Sequence, residues 1–500
     1  MRSVFNFFKE YIMDANSSLY FENFKPIRNK LRELNIFDTL NILREYALSQ
    51  ELDVKLRFLH NVEQGKVNYI MPNELDFLIV NSIIYSSELP SSKSISQVYL
   101  RGKILSLIEK IESRIHKEGM DEDVWLWLNS YFHNQSKQKS GHVFEQIYRY
   151  YTIFNQQEFD NHFKEKLGIS YKIFILCSFW LYSCFSKKYS IPVSFILSIN
   201  DESSPFFYKN MEKTLGVLSL TLHELRERLK KSARYDNNIF NFNNSPHLSY
   251  PIIQYSNSFY CPVPNYLLRQ LSTGIYYIID VPNIGLSKRF GSGFEKYIGK
   301  ILERNNIQGY QIIPEITYKK KQNQSSDWIV KDHNSIAFIE CKTKRLQAIS
   351  KELLLVENEL AKDIEDISKG VLQLYKVYED YLNNQIKELP YIDNLTFVPI
   401  VVTLEEWFAG LPTIDDKVYF NVKNKMQAKD MNIELLDKFK YKIISAAAFE
   451  RDYQIMAKEG IANYYKLLET GKIDDKYISE FKFNNFFADE FENDFIKPYV

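Results

Sequence analysis

Apolar residues recur at helical spacing through the first half of the chain. Ile36, Leu40, Leu43 and Ala47 mark one stripe, and Leu100, Ile104, Leu107, Ile108, Ile111 and Ile115 mark a cleaner one. Leu218, Leu222, Leu225 and Leu229 predict a further helix, ending in the basic run Arg226–Arg234. The most apolar stretch, Ile173–Ser186, is uncharged for only 14 residues. That is too short to cross a bilayer and predicts a buried core helix instead. No period of 20–50 residues repeats, so a solenoid is not expected.

The pattern changes after residue 235. Tyr235–Pro246 (YDNNIFNFNNSP) has no regular period and reads as a loop or boundary. Tyr250–Pro264 carries three prolines and short β-like pieces, and Tyr266–Tyr277 looks helical. From about residue 287 the elements alternate. Phe294, Tyr297, Ile298, Ile301 and Leu302 place a helix over 291–306. Tyr310–Tyr318, Asp327–Val330 and Ile336–Cys341 predict three strands, the last two joined by the turn KDHN. A long helix is predicted over 348–384, then strands at Phe397–Thr403 and Tyr441–Ser445. The fold class expected is α+β overall. A helical domain (1–240) and a connecting segment (241–286) would precede an α/β domain with a central mixed sheet (287–500) and an acidic, phenylalanine-rich tail.

Composition adds little about partners. Lys+Arg and Asp+Glu are equal at 63 each, so nothing global attracts a polyanion, and a nucleic-acid site must come from local segregation of charge. Residues 287–345 supply that segregation, with 12 Lys/Arg against 6 Asp/Glu. Cys177, Cys184, Cys261 and Cys341 form no CxxC pair and read as free thiols of a cytoplasmic protein. Lys9, Glu10 and Asp14 interrupt the apolar N-terminus, which argues against a secretory signal, and no membrane role is expected.

The chemistry sits in the two predicted strands around KDHN. Side chains alternate along a strand, so Glu340 and Lys342 share one face while Cys341 points the other way. A hairpin through KDHN brings Asp327 beside Glu340. Two carboxylates can hold Mg²⁺ through hard oxygens, and a nearby ammonium can orient water or offset charge on a phosphate. A Glu and a Lys ending an otherwise apolar strand are costly unless they are paired or bind a metal.

Asp327 with Ile-Glu-Cys-Lys at 339–342 resembles the PD-(D/E)xK nuclease superfamily, which includes restriction, repair and phage-defence enzymes. The resemblance covers roughly 287–450. It implies a restriction-endonuclease-like core in the order helix–strand–strand–strand–helix–strand. It also implies Glu295 (FGSGFEKYIG) as a metal-side residue from the preceding helix and Gln373 (GVLQLYKVY) as a site residue from the following one. No Pro precedes Asp327, and the Gln373–Tyr378 spacing is one longer than the Q-x-x-x-Y of exonuclease branches. Asp327, Glu340 and Glu295 would then hold Mg²⁺ or Mn²⁺, with Lys342 on the attacking water. Lys319, Lys320 and Lys321 at a hairpin tip, with Lys344 and Arg345, are the candidate phosphate contacts. The partner expected is nucleic acid, DNA before RNA. The helical half would supply substrate choice, homo-oligomerisation or contact with a regulatory protein. By analogy with proteins of similar layout, the setting is bacterial anti-phage defence or restriction. The alternative is a catalytically silent, nuclease-like binding or sensing protein, which a metal-free structure with Glu340 paired to a nearby Lys or Arg would favour.

Overall fold

The computed structural model describes residues 24–48, 70, 72–97, 100–108, 143–198, 205–232, 245–306, 309–319, 323–345, 357–407, 412–470, 490, 493, 495 and 497. The chain is of mixed α+β class. It divides into two compact units: Met1–Val143 with Asp160–Ile279, and Phe144–Phe159 with Asp280–Val500. The second unit, expected from residue 287, resumes at Asp280, the segment expected as a connector falls mostly in the first unit, and one helix from the N-terminal half belongs to the second unit.

The first unit is mostly helical. Its helices include Ile36–Leu48, Pro72–Tyr85, Tyr171–Lys187 and Leu222–Ser232. The stripe predicted at 36–47 is buried, with Ile36, Leu40 and Leu43 fully covered. Arg44 donates through Nε and Nη2 to the Phe185 carbonyl at 3.0 and 2.6 Å. A cation thus satisfies a free carbonyl at a helix C-terminus. The β-like pieces read at 250–264 belong to a small sheet, whose other two strands were not expected. It comprises β1 (Ser190–Pro192), β2 (Ser219–Thr221), β3 (Ile252–Tyr255) and β4 (Ser258–Tyr260), in the order β1-β4-β3-β2. The segment read as a connector (241–286) thus supplies β3 and β4 to this unit. The helix predicted over 266–277 is two short ones, Asn265–Gln270 and Ile275–Ile278.

The second unit is built on a five-stranded sheet. Its strands are β5 (Gln311–Pro314), β8 (Trp328–Lys331), β9 (Ser335–Lys342), β10 (Thr396–Thr403) and β11 (Lys442–Ser445). The order is β11-β10-β9-β8-β5, with β5–β8 and β8–β9 antiparallel and β9–β10 and β10–β11 parallel. A two-stranded piece, β6 (Thr317–Tyr318) with β7 (Asn323–Gln324), extends the β5–β8 hairpin. The central strands β9 and β10 are covered on both faces, which explains their near-continuous apolar sequences SIAFIECK and TFVPIVVT.

Four helices position the site in this unit: α1 (Val143–Phe154), α2 (Ser287–Arg304), α3 (Glu357–Leu382) and α4 (Ala446–Glu459). Phe338 of β9 packs edge-on against Tyr378 and Tyr381 of α3, so α3 covers the face that Phe338 shares with Glu340. Trp328 lies on the opposite face and rests on α2 at Gly299. A Cβ on Gly299 would stand 2.2 Å from the indole, so only glycine allows this approach. At Gly293 the same helix meets α1, where a Cβ would stand 2.5 Å from the Ile153 carbonyl oxygen. A buried ion pair holds α1 to α4: Arg149 lies 2.5 Å from Glu450 Oε1, which also accepts from Tyr297 Oη at 2.7 Å.

Candidate active site

The site grows from a defect in the β5–β8 hairpin. β5 and β8 pair Pro314 with Trp328, while β6 and β7 pair Thr317 with Gln324. Ser325 donates its N–H to the Ile316 carbonyl at 2.9 Å, so Glu315 alone stands opposite both Ser326 and Asp327. Two residues facing one is a β-bulge, which bends the strand and re-aims the residue at the bulge. Asp327 is that residue. The Cys341 N–H points to the side where β8 has ended, and it donates to Asp327 Oδ2 at 2.6 Å.

Glu340 and Lys342 follow on β9. Both flank Gly370 of α3, which confirms that they share a face. Glu340 is 2% exposed. Its Oε1 accepts from Lys342 Nζ at 2.6 Å, while its Oε2 is buried without a hydrogen-bond partner. Burial pushes the Glu340 carboxyl up to about 8, with Asp327 adding to the effect and Lys342 pulling against it. Burial also raises Asp327, opposed by the Cys341 N–H and by Lys342. For Lys342 itself, burial disfavours the ammonium, but the attraction of Glu340 and then Asp327 prevails and raises its pKa.

Glu295 comes from α2. Trp328 Nε1 donates to the Glu295 carbonyl at 2.9 Å, so the residue after Asp327 locks the helix that carries Glu295. The Glu295 carboxyl is raised to about 7, by burial first, then by Asp327 and Glu315. Lys342 and Glu340 are therefore in direct contact, Asp327 is bonded to the main chain between them, and Glu295 is close enough to interact electrostatically with all three.

Glu315 was missed in the sequence. Burial and then Asp327 raise its carboxyl, and Gln324 donates to its Oε2 at 3.1 Å. Its signal was the bulge register, which cannot be read without knowing how the two strands pair.

Gln373 reaches the site indirectly. Its side-chain amide donates to the Ser325 carbonyl at 3.0 Å, on the bulge that presents Asp327.

The expected phosphate contacts are placed differently. Arg345 is 8% exposed, donates to Tyr150 Oη at 2.8 Å and lies over the Tyr150 and Phe290 rings. It also lies 3.3 Å from Glu405 Oε1, so it is a buried, paired cation, a correction to the expectation of a phosphate contact. Lys344 is engaged by Asp363 at 3.4 Å and Asp366 at 3.0 Å. Lys319 is held by Asp380 at 2.7 Å, which also accepts from Tyr318 Oη at 2.7 Å. Both lysines carry neutralising carboxylates, because α3 runs along the sheet and meets each with an acidic residue. Lys320 and Lys321 lie outside the described residues.

The donor chemistry suits a hard cation. The carboxylates are oxygen ligands, and the orphaned Glu340 Oε2 lacks the partner that a buried carboxylate requires. Among the described residues, however, no three His, Cys, Asp or Glu side chains are gathered closely enough to hold a metal ion as they stand. The expected set Asp327, Glu340 and Glu295 is thus not assembled as ligands. Lys342 occupies one Glu340 oxygen and the Cys341 N–H one Asp327 oxygen.

Comparison with family models, curated proteins and solved structures finds no match to this chain.

Proposed function

We propose that the second unit is a divalent-cation-dependent phosphodiesterase acting on nucleic acid, DNA first, of the PD-(D/E)xK type. The observation that carries this reading is the Glu340 carboxylate. It is almost fully buried beside Asp327, one oxygen lies on Lys342, and the other has no donor. A structural protein gains nothing from burying such a group at the end of an apolar strand. A hydrolase gains a ligand and an activated water.

A bound Mg²⁺ or Mn²⁺ would supply Lewis acidity and an acidified water. The chain supplies the rest. Asp327 and Glu340 would hold the ion, with Glu295 alongside. Lys342 presents an ammonium that orients the attacking water and offsets charge on the phosphate. The Cys341 N–H fixes Asp327, and Gln373 fixes the bulge that carries it. A role in anti-phage defence or restriction belongs to this proposal by analogy of layout only.

A specific observation favours a second reading. Glu340 is paired with Lys342 at 2.6 Å, the arrangement expected of a silent, nuclease-like binding module. The two readings differ in whether a divalent cation displaces that lysine. Mn²⁺ titration of the full chain by calorimetry, comparing wild type with Asp327→Asn, separates them. The nuclease reading predicts binding that Asp327→Asn abolishes, and absence of binding in wild type selects the silent module.

A further inference from the structure

Gly370 lies in the interior of α3, where glycine is disfavoured. Helical propensity does not explain it, and its backbone does not enter the left-handed region that would require it. Space does explain it. A Cβ built on Gly370 would stand 2.8 Å from Lys342 Cε and 3.5 Å from both Lys342 Cγ and Glu340 Cγ. Its three nearest neighbours all belong to the two site residues of β9.

The same face of α3 holds the other parts of the site. Asp366, Gly370, Gln373 and Asp380 fall on one stripe at successive spacings of four, three and seven. Asp366 meets Lys344, Gln373 meets the Ser325 carbonyl, and Asp380 meets Lys319 and Tyr318. The helix thus touches the bulge that presents Asp327, the strand end that presents Lys342, and the β6–β7 hairpin. Gly370 is the contact that has no polar partner and works by absence of a side chain.

We infer that Gly370 is a positioning residue: its missing side chain forms the notch in which the Lys342 side chain lies while its ammonium rests on Glu340. The functional half of this inference rests on the phosphodiesterase reading. The atom that a methyl group would strike is near the far end of a flexible chain. A clash there is relieved by moving the lysine, at little cost to the fold. The cost falls on where the ammonium sits.

The test is Gly370→Ala in the full chain, with Gly216→Ala as a control, since a Cβ there meets nothing within 4 Å. Amine acetylation with limiting reagent, read per lysine by peptide mass spectrometry, reports whether Lys342 still lies on Glu340. The expected result is several-fold faster labelling of Lys342 in Gly370→Ala, with unchanged labelling of Lys376, exposed on the same helix. The melting temperature should equal or exceed that of wild type. Where wild type cuts nucleic acid, kcat should fall with KM unchanged. Unchanged labelling of Lys342 overturns the inference. So does faster labelling of all lysines with a lowered melting temperature, which would make Gly370 a general packing residue. If Lys342 responds as expected while wild type cuts nothing, the positioning stands and the phosphodiesterase reading falls.

Discussion

The Cys341 N–H donates to Asp327 Oδ2 at 2.6 Å, so the main chain of one strand fixes the carboxylate that ends its neighbour. This bond depends on a bulge that stops the ladder one step early, at Trp328. Asp327 is therefore placed by backbone register.

That geometry sets a pH dependence. Glu295 and Glu340 have folded-state values of about 7 and about 8, raised above the ordinary 4.5. For a raised carboxylate the folded state binds more protons than the unfolded state. Its stabilising contribution is complete below the ordinary value and is lost as pH rises through the folded value. The metal-free protein should thus lose stability between about pH 4.5 and pH 8 from these groups. Glu340→Gln should flatten that loss and raise the melting temperature at pH 8. Added Mn²⁺ should restore stability in the wild type but not in Asp327→Asn. Thermal melts across pH with and without the ion check all three outcomes.

Glycine at 299 is required by contact with Trp328, whose indole also holds the Glu295 carbonyl. Gly299→Ala should cost about 1–3 kcal/mol through overpacking. Because Trp328 follows Asp327, the same change should weaken Mn²⁺ binding. Chemical denaturation and calorimetry on one preparation give both numbers. Stability loss without weaker binding would show that the α2–β8 contact does not reach the site.

Arg149 tests which unit α1 belongs to. It is 3% exposed and pairs with Glu450, which Tyr297 also contacts. Arg149→Ala should cost about 3–5 kcal/mol, because it leaves Glu450 buried without its cation. The double change Arg149→Met with Glu450→Leu should recover most of that. If the single change is silent, α1 does not dock on α4 through this pair.

Much of the second unit was legible in its sequence. Apolar runs over 336–341 and 397–403 and the stripe from Phe294 to Leu302 gave elements that the structure places at 335–342, 396–403 and 287–304. Period-two alternation put Glu340 and Lys342 together because they lie on one strand. The KDHN turn likewise gave the β8–β9 hairpin, but positions set by an irregular register between strands were harder to foresee. Glu315 stayed invisible because its place depends on the bulge opposite it. Arg345 and Lys344 were read as phosphate contacts because charge is the only local signal they carry. Their partners, Tyr150 and Glu405 for Arg345 and Asp363 and Asp366 for Lys344, are distant in sequence. In the first unit the β-like pieces at 250–264 are β3 and β4, while β1 and β2 were missed because three-residue strands such as Ser219–Thr221 leave no period to detect. The helix Val143–Phe154 joins the second unit through Arg149, and no local pattern announces that choice.

The most direct test is cleavage of plasmid DNA, linear DNA and RNA by the full chain with Mg²⁺ or Mn²⁺, comparing wild type with Asp327→Ala and Lys342→Ala. Wild type should cut in the presence of the ion, and each variant should be slower by about 10²–10⁴-fold, the range typical of losing one catalytic group. Equal activity in all three proteins would place the chemistry elsewhere. No cleavage by wild type on any of the substrates, with Glu340 still resting on Lys342, would contradict the account and leave a binding module.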